Sequence, residues 1–211
     1  LSYQYSALGM PQSRSNMGML ALTWLPVKRL KLSGTLSLNQ KNYHQQYVSA
    51  IPGNTFTEYV VGNIDHHTTS FTFRAELYLT PEMSIQYYGS PYYSVGQYED
   101  FRRVNQSQAR DINYRLEAPD IRYDPAEDSY SYMQNGENFR FGNPNFSFMQ
   151  FRSNLVFRWE YKLGSTLYFV WAHDRSGWDP TYNPIGDIAG DLWGIKGSHV
   201  FMVKANFWFS L

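Results

Sequence analysis

The chain has 211 residues, 18 basic and 18 acidic side chains, no cysteine, and an aromatic share of 18% supplied by 18 Tyr, 14 Phe and 6 Trp. Zero formal net charge removes any nucleic-acid or anionic-surface partner argued from bulk electrostatics, and the lack of Cys excludes a disulfide framework and a thiolate metal site. The longest uncharged apolar stretch, Met17 to Val27, is interrupted by Thr23 and Pro26 and falls short of the roughly 20 residues a spanning helix needs.

From the N-terminus, Leu1 to Ala7 reads as the end of a strand, too short for the about 9–11 residues of a β crossing. No initiator Met, basic n-region or apolar h-region stands before it, so the chain is expected to be a mature, processed or truncated product with further strands upstream. The rival expectation is a complete barrel of eight strands, the smallest of its class. A full crossing is expected near 17–25, then a short turn at Pro26 to Lys28, then a second crossing near 29–42. In the latter Leu30, Leu32, Gly34, Leu36 and Leu38 oppose Lys31, Ser33, Thr35, Ser37 and Asn39, the period-two alternation that puts successive side chains on opposite faces of a strand.

A long polar stretch, Tyr43 to His67, reads as a loop. The next crossing, 67–80, sets Phe71, Phe73, Ala75, Leu77 and Leu79 against Thr72, Arg74, Glu76, Tyr78 and Thr80, and Pro81 and Glu82 turn it into 83–95. Gly96 to Asn145 is a second long polar stretch. In 148–161 the alternation is sharpest: Phe151, Ser153, Leu155, Phe157, Trp159 and Tyr161 oppose Arg152, Asn154, Val156, Arg158, Glu160 and Lys162. A Lys162-Leu163-Gly164-Ser165 turn leads to 166–175, a third long stretch runs from Arg175 to Ser198, and 199–211 closes the chain with Phe201, Val203, Ala205, Phe207, Phe209 and Leu211 against Met202, Lys204, Asn206, Trp208 and Ser210.

Alternating segments of about ten residues are what a tilted strand needs to cross a bilayer. A soluble β-sandwich also alternates, but its strands average about 5–6 residues, and it has no reason to sort connections by strand parity. Here short turns and long polar stretches take turns along the chain, as periplasmic turns and extracellular loops do. The expected fold class is therefore all-β: a single transmembrane antiparallel up-and-down β-barrel domain over 1–211, the C-terminal strands of a larger barrel.

Three segments carry a resemblance to a known family. Asn143 to Arg175 (NPNFSFMQFRSNLVFRWEYKLGSTLYFVWAHDR), Pro81 to Phe101 (PEMSIQYYGSPYYSVGQYEDF) and the closing VFMVKANFWFSL resemble the C-terminal outer-membrane barrel domain of uncharacterised Bacteroidota proteins that carry an N-terminal carbohydrate-binding-module family 9-like domain. The resemblance implies that the chain is the last part of a longer polypeptide whose sugar-binding domain lies outside this sequence. It implies no catalytic residues.

Arg74, Glu76, Arg152, Arg158, Glu160 and Lys204, together with Lys162, fall on the charged faces and are expected to face the lumen. They would line a solute path or fill the interior as cross-strand ion pairs; the second is favoured, because an aqueous channel needs roughly 16–18 strands. Glu76 and Glu160 make a poor glycosidase pair, since each has an arginine two places away on its own face and stays ionised. Adjacent His66 and His67 point to opposite sides of an extended chain, and Asp174, Asp179, Asp187 and Asp191 lack the D-x-D-x-D-G pattern of a calcium loop. No metal or cofactor is expected.

The stretch Tyr98 to Phe146 is the expected binding surface, with Tyr114, Tyr123, Tyr130, Tyr132 and Phe139 among Arg and Asp; a fold-back plug would use the same residues. Trp24, Trp159, Tyr161, Tyr168 and Trp171 suit interfacial girdles, and Phe207 and Phe209 resemble the closing-strand signal read by barrel-assembly machinery, although the chain ends in Leu211 where many such signals end in Phe. The expected role is non-enzymatic: an outer-membrane protein, multi-pass, its C-terminus on the periplasmic side. Its expected partners are outer-membrane lipid, the assembly machinery during biogenesis, and another outer-membrane protein or a glycan at the loops. The alternatives are a soluble glycan-binding or glycan-active β-sandwich and a diffusion channel.

Overall fold

A computed structural model describes residues 2–7 and 13–209. The strands in chain order are β1 (Ser2–Ala7), β2 (Arg14–Val27), β3 (Leu30–Pro52), β4 (Thr57–Tyr78) and β5 (Met83–Val104). A short helix α1 (Ile112–Arg115) and the small strands β6 (Leu116–Glu117), β7 (Arg122–Asp124), β8 (Ser129–Gln134) and β9 (Glu137–Gly142) follow. Then come β10 (Phe146–Lys162), β11 (Ser165–Asp179), α2 (Ile185–Ile188), α3 (Asp191–Gly194) and β12 (Ser198–Asn206). One antiparallel sheet takes β1-β2-β3-β4-β5-β10-β11-β12 in order, with β6 added to β5, and β7-β8-β9 form a second, three-stranded sheet. No helix among the described residues is long and apolar enough to cross a membrane.

The all-β, antiparallel, nearest-neighbour order follows from the alternation. Each large-sheet strand pairs with the next large-sheet strand in sequence, and the register puts like with like. One row runs Trp24, Leu32, Ala75, Tyr87, Leu155, Trp171, Phe201 across seven strands, and the next runs Leu30, Leu77, Ile85, Phe157, Phe169, Val203 across six. Directly opposed residues share a face, so these rows form one apolar stripe. Much of it is open: Trp24 is 64% and Phe201 77% exposed, and Leu22, Val203, Phe169 and Phe71 are exposed too.

The first expected polar loop is largely strand, and the other two begin as strand. β3 continues to Pro52 and β4 starts at Thr57, so Tyr43 to His67 is a long hairpin with only a four-residue tip, and β5 and β11 likewise run on to Val104 and Asp179. Period-two reading stops there for a physical reason. Gln45 (φ 62°) and Asp100 (φ 53°) sit at β-bulges, where pairing slips between Tyr43 and Gln46 and between Val61 and Asn63. A bulge shifts every later side chain to the other face. Asn63 ties both together, donating from Nδ2 to Asp100 Oδ2 at 3.0 Å and accepting from the Gln45 N–H at 3.4 Å.

The connections sort by end. At one end β2–β3, β4–β5 and β10–β11 are joined by tight turns; Gly164, at φ 78°, supplies the left-handed residue of the last. At the other end lie the β3–β4 tip, the three-stranded sheet and the α2–α3 segment. Of the expected closing strand 199–211, only residues up to Asn206 are strand; Phe207 to Phe209 leave the sheet, and Leu1, Ser210 and Leu211 lie outside the described residues.

Candidate functional site

Two regions gather polar and aromatic side chains. The first is the face opposite the apolar stripe. Register places Arg74 and Glu76 of β4, Arg152, Arg158 and Glu160 of β10 and Lys204 of β12 on this single face: Arg74 opposes Tyr88, which opposes Asn154, which opposes Ala172, which opposes Val200. The charges are mostly matched. Glu76 takes Lys31 at 3.4 Å, Arg152 takes Asp174 at 2.9 Å, Arg158 takes Glu160 at 2.8 Å, and Arg74 lies over the Tyr88 ring at 5.0 Å. Two of these pairs bridge neighbouring strands, and all leave the sheet covered by bonded charge rather than by an open acid or base. Glu76 and Glu160 each bind their own cation and are separated by two strands and four residues of height, roughly 17 Å between backbones.

The second region is a cap. The β7-β8-β9 sheet lies on the same face as the charges, over the bulged far ends of β3, β4 and β5. The hairpin β8–β9 turns on Asn135 and Gly136, both at positive φ, the residue pair a tight two-residue turn demands. Its inner side presents Tyr130, Tyr132, Phe139 and Phe141 to Val60, Val48, Ile51 and Phe101. The Asp100 bulge is what turns Phe101 and Arg103 inward to meet them: Arg103 stands opposite Val60, and the Phe101 ring lies 4.7 Å from Tyr130 and 5.2 Å from Phe141.

Under the cap sits a buried polar knot. Arg103 donates to Glu58 Oε1 at 3.2 Å and to Glu117 Oε2 at 2.6 Å, and Tyr132 donates its hydroxyl to Glu58 Oε2 at 3.1 Å. Glu58 and Arg103 are 3% and 8% exposed, and among the described residues Arg103 Nε finds no partner. Burial first, then the neighbouring Glu58 charge and hydrogen bond, push the Tyr132 hydroxyl well above the usual phenol range, with Arg103 opposing. At the cap's outer rim Asp128 accepts from Tyr123 Oη at 2.7 Å and from Asn143 Nδ2 at 2.9 Å; these bonds, the tyrosine's first, hold its carboxyl below the usual carboxylate range.

The residues expected to form a binding surface therefore divide. Tyr114 and Tyr123 are exposed, and Tyr130 is half-buried between Tyr123 and Phe141. Tyr132 and Phe139 are corrected: at 2% and 1% exposure they are the cap's own core and offer no surface, because the hairpin turns them onto Val60. His66 and His67 go to different partners, Ser94 at 2.8 Å and Asp65 at 3.1 Å. Asp174 binds Arg152, Asp179 holds Thr181 and Asn183, and Asp187 and Asp191 sit in the first turns of α2 and α3, so the four are dispersed.

Glu58, Arg103, Tyr47, Phe56 and Tyr59 were missed by sequence reasoning, since all fall where alternation lapses. They line an open depression of about 630 Å³ beside the cap with Asn105, Ser107 and Asn135. The Asn135-Gly136 dipeptide was the legible signal for the hairpin. Comparison with protein families, with curated proteins and with solved structures found no match. The functional reading thus rests on residues and geometry alone. Among the described residues, no group of three or more His, Asp or Glu is placed to hold a metal ion.

Proposed function

We propose that this chain is the strand wall and cap of an outer-membrane β-barrel, a structural or transport-associated protein without chemistry of its own. The observation that carries the proposal is the uninterrupted apolar row from Trp24 to Phe201, open at both ends and half-buried between them, along one face of a sheet whose other face holds mostly matched charges. On β5 the stripe runs from Met83 to Tyr93. Ten residues at about 3.4 Å each, tilted by about 40°, climb about 26 Å, close to the roughly 25 Å apolar band of such barrels.

A water-soluble sandwich would need a second layer over Leu22, Trp24 and Phe201. The element that does fold onto this face, α2–α3, covers only its far end, where Leu192 meets Val95, Met149 and Phe151. Among the described residues β1 and β12 are the two edges of the sheet, and strand edges cannot stay unpaired in hydrocarbon, so in this reading both are paired, with each other or with further strands. In this reading the tight turns are periplasmic, the charged face is the lumen, and the cap folds inward over the extracellular mouth. The exposed Tyr114 and Tyr123 and the depression at Tyr47 and Tyr59 are where a partner protein or a glycan would dock.

The test is electrophoretic. Protein folded in detergent, run unboiled and boiled, should migrate faster unboiled, because a barrel stays compact in detergent until heated. A chain that is soluble without detergent and shows one mobility would overturn the proposal.

A further inference from the structure

Two depressions lie one above the other on the apolar face of β2 and β3. The lower, of about 410 Å³, is walled by Leu20, Leu22, Trp24, Leu36, Phe71 and Phe73. The upper, of about 480 Å³, is walled by Arg14, Asn16, Gln40, Asn42 and His44. Even-numbered residues of β2 and of β3 before Gln45 share this face, so both depressions open the same way. Between them stands the pair Gly18 and Leu38, and a Cβ built on Gly18 meets nothing within 4 Å. The glycine puts no side chain between the two beside Leu38.

We propose that this gutter is a specific site for a phosphorylated glycolipid, its acyl chain along Leu20 to Phe73 and its head against Arg14 and the amides. The inference rests on the barrel reading and deepens it by naming the lipid. The chemistry of the upper basin selects the head. Its five lining residues include one arginine and no carboxylate, and among the described residues Arg14 makes no ion pair, so the basin attracts an anion. Asp65, which stands opposite Asn42 in register, is bound to His67 at 3.1 Å. Gln40 and Asn42 of the same basin can each donate and accept hydrogen bonds. Sugar hydroxyls match that dual character, whereas a bare phosphodiester only accepts. The apolar depression directly below fits the chain of the same molecule.

The experiment uses the full chain folded in nonionic detergent and native mass spectrometry with three probes: a bis-phosphorylated acylated glucosamine disaccharide, phosphatidylglycerol, and an uncharged diglucosyl diacylglycerol. Retention of the first at least tenfold above the other two is expected. Arg14→Ala should lower that retention about tenfold, the loss of one charge-assisted contact. Gly18→Phe, which has room to fold, should lower it by setting a ring between the two depressions. Equal retention of phosphatidylglycerol, or unchanged retention in Arg14→Ala and Gly18→Phe, overturns the site while a heat-shifted gel band leaves the barrel reading standing. A chain that needs no detergent and retains no lipid overturns both.

Discussion

Arg103 on β5 and Glu58 on β4 meet at 3.2 Å beneath the cap, almost fully removed from water, and Tyr132 of β8 donates to the same carboxylate. The Tyr132 bond joins the large sheet to the small one. Removing Arg103 strands Glu58 as a buried charge, an effect of about 3–5 kcal/mol, whereas removing Glu58 leaves Arg103 paired with Glu117 at 2.6 Å. Arg103→Ala is expected to release the cap by about that amount and Glu58→Ala by less, both read as faster amide exchange across 129–142. The double variant should cost less than the sum of the singles, and the exchange of β10 and β11 should not change.

The cap should also loosen at both ends of the pH scale. The Asp128 carboxyl is held below its usual range, so its contribution is complete above about pH 4 and fades as the pH falls through its folded value. Tyr132 is held above its usual range, so its contribution is complete below about pH 10 and fades as the pH rises toward its folded value. Tyrosine fluorescence or amide exchange of 122–142 against pH should show a central plateau. Asp128→Asn should flatten the acid limb and leave the alkaline limb in place.

Gly53, at the tip of the β3–β4 hairpin, has no room for a side chain: a Cβ there would meet the Phe139 ring and the Phe56 carbonyl oxygen at 2.8 Å. Backbone on one side and a buried ring on the other cannot both yield. Gly53→Ala is expected to cost about 1–3 kcal/mol of cap stability in urea unfolding. Gly142→Ala, where a Cβ meets nothing within 4 Å, should be close to neutral.

Phe73 lies on the apolar stripe and Thr72 on the charged face beside it. If the stripe faces lipid, Phe73→Arg should lower folding stability in bilayers by about 2–4 kcal/mol, the cost of an arginine near the membrane midplane. Thr72→Arg, at the same height and turned inward, should change it little. Equal losses at the two positions would argue against a bilayer on one side only.

The order of the sheet and the faces of its strands were legible because one physical constraint, burial or exposure of alternate side chains, repeats without interruption from Leu30 to Leu38, Phe71 to Leu77 and Phe151 to Trp159. Beyond those segments the constraint changes. The Gln45 and Asp100 bulges reverse the faces, and the cap buries residues on a side that is charged lower down. Glu58 and Arg103 meet across paired strands only after that slip, and Tyr132 and Phe139 are hidden by a sheet far from them in sequence. Neither fact is written in local periodicity. The Asn135-Gly136 turn was written there, inside a stretch read as loop.

The chain has no cysteine, so a single one can be placed at each position from Thr68 to Tyr78 of β4 and spin-labelled in reconstituted liposomes. Collision rates with oxygen, which partitions into lipid, and with a water-soluble nickel chelate then report each side chain's surroundings. The expected result is strict alternation: oxygen-accessible labels at Thr69, Phe71, Phe73, Ala75 and Leu77, chelate-accessible labels at Thr68, Ser70, Thr72, Arg74 and Glu76. Chelate access at Phe71, Phe73 and Leu77 equal to that at their neighbours would contradict a lipid-facing stripe and the outer-membrane wall built on it.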